Sequence, residues 1–117
     1  MTNEPDLTDL TCTFDEFMKV DIRAGIITKS EPVPKSSKLL KLEVYFGPEI
    51  GHRTILSGIA KSYRGDVTGL GVIAVVNLVP RQMMGYESHG MLLAGGHSNG
   101  EVTLIDCAGC EPGQRIG

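Results

Sequence analysis

No apolar stretch in this chain runs far before a glycine or proline interrupts it, and that punctuation constrains the fold most. The chain has 15 glycines among 117 residues, against a usual share of about 7%. They fall between short apolar stretches, the pattern of a small all-β domain with many turns. The longest apolar stretch, around Val72–Val76, has the length of a strand and is far short of the ~20 residues that a membrane-spanning helix needs. A chain of 12.6 kDa supplies one domain. With 41% hydrophobic and 21% charged residues it is not disordered throughout.

The apolar period sets the strands. Met18, Val20, Ile22 and Ala24 alternate with Lys19, Asp21, Arg23 and Gly25, which predicts a strand running to about Lys29. Ser30–Ser37 reads as a loop because Pro32 and Pro34 cannot sit in a central strand. Leu40, Leu42, Val44 and Phe46 then face inward, with Lys41, Glu43 and Tyr45 outward. Gly47–His52 is a turn, Arg53–Ser57 a third strand, Gly58–Tyr63 a short helical or irregular connector, and Gly65–Gly71 a turn. The β-branched run Gly71–Asn77 is the central strand, Leu78–Gly90 a loop, and Met91–Ala94 the fifth strand. Glu101–Asp106 adds a short strand in a Gly/Pro-rich C-terminal extension, and Phe14–Phe17 can form one helical turn. Residues 1–13 read as an acidic flexible leader and residues 14–117 as the domain. Five strands with a small connector match an all-β, five-stranded OB-fold barrel with a short connecting helix and a C-terminal extension. Period two alone also fits an SH3-like barrel or a small sandwich.

Charge and cysteine usage narrow the functional classes. The net charge is −3, unlike a basic protein that coats nucleic acid non-specifically. Lys19–Ala94 nevertheless holds ten basic residues against six acidic ones, so the negative charge lies at the ends. Three cysteines suggest no disulfide framework, and the lone C-x-x-C of Cys107 and Cys110 lacks the second pair that a structural zinc site usually needs. The two thiols read as reduced, small apolar residues in or near a turn, and no metal or cofactor is expected. The acidic N-terminus, MTNEPDLTDL, does not resemble a secretory signal, so the expected location is cytoplasmic. No phosphate loop, H-E-x-x-H or G-x-S-x-G is present, which points away from an enzyme.

Four ordered motifs go beyond pattern: KVDIRAG (Lys19–Gly25), VPKSSKLLKL (Val33–Leu42), RTILSGIAKSY (Arg53–Tyr63) and NLVPRQMMGYESHGM (Asn77–Met91). With them the chain resembles the tRNA-binding domain family from about Phe14 to Gly95, with a weaker tail to Gly117. That family includes the C-terminal appendage of methionyl-tRNA synthetases, free-standing structure-specific tRNA-binding proteins and the CsaA chaperones. VPKSSKLLKL, SGIA and the S-x-G-M ending look like the synthetase appendage. FGPEIG, VIAVVN and the closing Gly113–Gly117 look more like CsaA. The resemblance implies an OB fold, a homodimer and binding of tRNA by shape. Its implied partners are tRNA, an aminoacyl-tRNA synthetase and, in the CsaA alternative, unfolded or presecretory peptides.

The candidate tRNA-binding residues are Lys35, Lys38, Lys41, Arg53, Lys61, Asn77, Arg81, Ser88 and Met91. Lys35, Lys38 and Lys41 recur every third residue and can neutralise phosphates, although the same spacing describes a solvated lysine face. Arg81 supplies a planar fork, Ser88 a hydroxyl, and Met91 a soft apolar surface beside Gly90. Asn77 can satisfy loop backbone groups through its amide. Arg53 and Lys61 belong to the SGIA motif. Met83, Met84 and Met91 also fit ordinary packing or, with Tyr86, an apolar peptide groove. Of the few aromatic residues only Tyr86 and Tyr45 look placed to stack on bases, which favours recognition by shape and phosphate contact.

Overall fold

A computed structural model describes residues 10–117. In chain order its elements are α1 (Phe14–Phe17), β1 (Ile22–Pro32), β2 (Leu40–Tyr45), α2 (Gly47–Ile50), β3 (His52–Ser57), β4 (Gly71–Val75), β5 (Arg81–Met83), β6 (Tyr86–Ser88), β7 (Met91–Leu92), β8 (Ala94–Gly96), β9 (Val102–Leu104) and β10 (Arg115–Ile116). The first nine residues of the expected 1–13 leader lie outside the described range.

The main sheet runs β3-β2-β1-β4-β7, with every pair antiparallel. Strand β1 spans two halves of the barrel. Ile22–Ile26 pairs with β4, and Ile26–Pro32 pairs with β2. A register shift at Thr28 bends the strand between these halves. Gly25 lies three residues before the bend, where an added Cβ would sit 2.6 Å from the Phe46 ring. Its missing side chain lets Phe46 fill the centre. The edge of β3 closes onto the far side: His89 N–H donates to the Thr54 carbonyl at 2.8 Å, and Leu56 N–H to Ser88 Oγ at 3.0 Å. The result is a nearly closed all-β barrel around Ile27, Leu42, Val44, Phe46, Ile55 and Val72. The inward alternation expected of Leu40–Phe46 is present, with all four apolar residues buried.

Several expectations are corrected. The first strand starts at Ile22, four residues later than expected, and continues through Pro32. Met18 and Val20 are exposed in the turn after α1, where no strand among the described residues covers them. Pro32 is tolerated because it closes the strand opposite Leu40. The Gly58–Tyr63 connector is a run of turns; the inter-strand helix is instead α2, within the expected Gly47–His52 turn. The Leu78–Gly90 loop contains the β5–β6 hairpin. Cys107 and Cys110 are disulfide-bonded across a turn, not reduced.

The extension caps the barrel and returns to it. Hairpin β8–β9 docks through Ser62 Oγ and Tyr63 Oη, which accept from Val102 N–H and Leu104 N–H, each at 2.9 Å. Strand β10 pairs with Ile22 and Arg23, an element the sequence pattern did not predict. Arg23 donates to Asp21 Oδ1 at 2.7 Å and to the Gly113 carbonyl at 3.0 Å, tying this return to the start of β1.

Candidate nucleic-acid interface

The β1–β2 connection is built on a tight turn from Val33 to Ser36. Ser36 N–H donates to the Val33 carbonyl at 3.1 Å, and buried Val33 anchors the turn. Pro34 takes its second position and Lys35 the third, with φ +66°, as in a type II turn. Ser36 Oγ then accepts from Lys38 N–H at 3.3 Å and Leu39 N–H at 3.1 Å, which fixes the path into β2. The Lys38 carbonyl accepts from Ala60 N–H at 3.0 Å, so exposed Lys38 and Lys61 lie side by side on the rim.

The second wall is the β5–β6 hairpin. Its two turn residues, Met84 (φ +51°) and Gly85 (φ +84°), are both left-handed, the signature of a type I′ turn. Arg81 pairs with Ser88, Ser88 holds Leu56, and Leu56 pairs with Lys41. This row carries Arg81 to within roughly 15 Å of Lys41 at the ~4.8 Å spacing of adjacent strands. Lys38 and Arg81 therefore flank the same end of β3: Leu40 opens β2 against Ser57, and Ser88 grips Leu56. Among the described residues Lys35, Lys38, Lys61 and Arg81 form no ion pair.

Of the remaining candidates, Lys41, Arg53, Asn77 and Ser88 are engaged with the protein. Lys41 Nζ stands 4.5 Å from the Tyr86 ring centroid and 3.8 Å from Glu31 Oε1, and the same carboxylate oxygen lies 3.9 Å from Lys29. Arg53 donates to the Val76 carbonyl at 2.9 Å. Asn77 accepts from Asp21 N–H at 2.8 Å and donates to the Lys19 carbonyl at 2.6 Å, so its amide fastens the N-terminal segment to the end of β4. Ser88 is buried with its oxygen on Leu56 N–H. Met91 is 49% exposed. Beside it, Gly90 (φ +133°) is tightly packed, since a Cβ would lie 3.1 Å from Ile55 Cδ1 and 3.2 Å from the Val75 carbonyl.

Two clefts flank the hairpin. One, of about 370 Å³, is lined by Lys41, His52, Arg53, Tyr86, Glu87 and His89. The other, of about 110 Å³, is more apolar and is lined by Leu56, Leu78, Val79, Met83 and Met91 with Arg81 at its side. His52 was not singled out from the sequence. Its signal lies in the register, because it stands opposite Tyr45. The displaced titrations fall elsewhere. The Arg23 hydrogen bond holds the Asp21 carboxyl below its ordinary value, and the same contact raises Arg23. Hydrogen bonds from Thr13 lower Glu16 in the cap of α1, and hydrogen bonds from Thr68 lower Asp66 in a loop.

A family model described as a putative tRNA binding domain matches residues 22–115. The methionine–tRNA ligase of Salinibacter ruber is 46% identical over 94 residues, which is 80% of this chain and 13% of that ligase. The chain thus spans about an eighth of that relative's length. Among solved structures, the CsaA chaperone protein of Picrophilus torridus superposes with a TM-score of 0.84 at 32% identity, covering 92% of this chain and 100% of that one. A MetRS related protein from Pyrococcus horikoshii has a TM-score of 0.84 at 36% identity, covering 92% and 98%.

Proposed function

As this chain belongs to the tRNA-binding domain family, we propose that it is a non-catalytic cytoplasmic module that holds tRNA by shape and phosphate contact and assists an aminoacyl-tRNA synthetase. The observation that carries this reading is the cluster of cations around one end of β3. Lys38, Lys61 and Arg81 project there without acidic partners among the described residues, Lys35 sits on the neighbouring turn, and the net charge is −3. A long-range field would not draw RNA to such a molecule. A local rim that matches a backbone of fixed shape would.

Titration of bulk tRNA against the protein over a range of salt tests the reading. For about 3–5 phosphate contacts the slope of log affinity on log salt is roughly −2 to −4. Lys38→Glu and Arg81→Glu each weaken binding and leave the unfolding midpoint in place. A flat salt dependence, or two variants that bind like the parent, would overturn it.

We further propose a homodimer. Phe14 is 74% exposed on α1, with Phe17, Met18 and Val20 uncovered beside it, and a second copy would cover this apolar face. A single monomer boundary in sedimentation at micromolar concentration contradicts that expectation. The apolar cleft beside Met91 supports a second reading, a chaperone for unfolded or presecretory peptides. Peptide binding that persists in high salt without tRNA affinity would favour it.

A further inference from the structure

We propose that Cys107 and Cys110 are a reversible thiol–disulfide couple, and that its closure fastens strand β10 to the start of β1. The pair is a modification site apart from the cationic rim, and the chemistry it takes is exchange with small thiols and disulfides such as glutathione.

The sequence C-A-G-C puts the two cysteines at the ends of one turn. Cys110 N–H donates to the Cys107 carbonyl at 3.0 Å, and Gly109 supplies a left-handed residue, φ +89°, at the third position. The turn brings the two Cα atoms to 5.5 Å, inside the roughly 4.4–6.8 Å that a disulfide spans. The sulfurs are joined. Both residues are part-exposed, so a small thiol can reach them.

The turn lies within a strap that is held at both ends. Before it, Ile105 N–H donates to the Leu93 carbonyl at 3.2 Å. After it, Gly113 N–H donates to the Ala24 carbonyl at 2.8 Å, and Ala24 N–H to the Gln114 carbonyl at 3.0 Å. The strap meets the barrel backbone to backbone here, since a Cβ on Gly47 would lie 2.6 Å from the Pro112 carbonyl oxygen. Strand β10 follows at once, and its Arg115 donates to the Met18 carbonyl at 3.1 Å. Among the described residues, the hydrogen bonds of 106–112 go only to this segment itself and to Gln114. The grip of β10 on β1 therefore depends on how freely residues 106–112 move between the two anchors. Closing the ring removes conformations from that segment and lowers the entropy lost when Gly113 docks. Opening it makes the anchor contacts fray more often.

The chemistry is a two-electron exchange. One cysteine thiolate attacks glutathione disulfide and releases a glutathione thiolate. The second cysteine then attacks the mixed disulfide, forms the Cys107–Cys110 bond and releases the other glutathione. The pair gives up two protons and two electrons, and glutathione disulfide becomes two glutathiones. A dithiol reductant runs the steps backwards. In a reducing cytoplasm such a bond is transient and redox-sensing, but exchange on the purified protein does not depend on the compartment. The turn is not at a helix N-terminus, and the charged residues flanking it in sequence are Asp106 and Glu111. A catalytic thiol has an electropositive setting instead. The couple stores a bond and does not pass it to substrates.

The test incubates the full chain with glutathione disulfide or with dithiothreitol. After alkylation, mass spectrometry finds Cys107 and Cys110 joined in the first sample and both alkylated in the second. Reduction speeds exchange of the Ala24 and Gly113 amides about three- to thirtyfold, leaves the Val44 and Ile55 amides unchanged, and reoxidation reverses the effect. Cys107→Ser/Cys110→Ser exchanges like the reduced parent under both conditions, and Cys12→Ser responds like the parent. The inference is overturned if the two cysteines stay unjoined in glutathione disulfide, or if dithiothreitol does not open the bond. It is equally overturned if the Ala24 and Gly113 amides exchange alike in both states, or if the Cys107→Ser/Cys110→Ser chain still responds. None of these measurements reads RNA binding, so failure here leaves the proposed function standing.

Discussion

Lys35 occupies a left-handed backbone, φ +66°, that L-residues other than asparagine and aspartate seldom adopt. The turn after Pro34 would accept glycine there at no steric cost. Lys35→Gly therefore leaves stability unchanged or raises it by up to about 1 kcal/mol, the cost of αL less the greater freedom of an unfolded glycine. If the ammonium meets a phosphate, the tRNA salt slope loses about one unit in the same variant. Thermal melting and salt-dependent binding on one preparation separate the two effects. Gly25 is the opposite case. A methyl placed there would meet the Phe46 ring at 2.6 Å and Val44 Cγ1 at 2.9 Å, and both neighbours are fully buried. Gly25→Ala destabilises by about 1–3 kcal/mol, as overpacking of a tight core does, read as a lower midpoint in denaturant.

At the scale of elements, the β5–β6 hairpin shows how a turn can be correct and still hard to read. Type I′ turns favour Asn-Gly, and here Met84 stands in the first left-handed position, half exposed. The sequence MMGY therefore gives no hairpin signal, and the stretch reads as loop. Met84→Asn is expected to raise the unfolding midpoint and leave the β5–β6 register intact, as read from amide exchange. Strand β2 was legible because each of Leu40, Leu42, Val44 and Phe46 is buried, so period and burial agree. Met18 and Val20 keep the same period but lie exposed before β1, and the first strand was placed four residues early. The lysines and Arg81 could be read from composition and motif. The meeting of Tyr45 with His52 depends on the β2–β3 register, which no local pattern displays. The N-terminal segment is joined to β4 by Asn77 and to the barrel end by Asp21 and Arg23. Because Arg23 depresses the Asp21 carboxyl in the folded state, its contribution is complete above the ordinary aspartate value, about 3.9. That contribution is lost as pH falls through the lower folded value. Asp21→Asn lowers stability at neutral pH, and the curves of variant and parent converge in strong acid, as thermal melts across pH would record.

Across the whole molecule, about 42 × 36 × 28 Å, acidic composition and a cationic rim coexist because charge is arranged by the fold and not by the average. Strand β10 was invisible in the sequence for a related reason. Two residues, Arg115 and Ile116, carry no period, and their partners Arg23 and Ile22 lie more than ninety positions earlier. Arg115 also donates to the Met18 carbonyl at 3.1 Å. The first and last strands of the barrel therefore begin and finish at one corner. A short linker could join these ends into a ring, and new ends could be opened at the exposed His97–Gly100 turn with the strand order preserved. Such a rewired chain would keep the β1–β2 turn and the β5–β6 hairpin, the two walls of the proposed interface, because neither is cut.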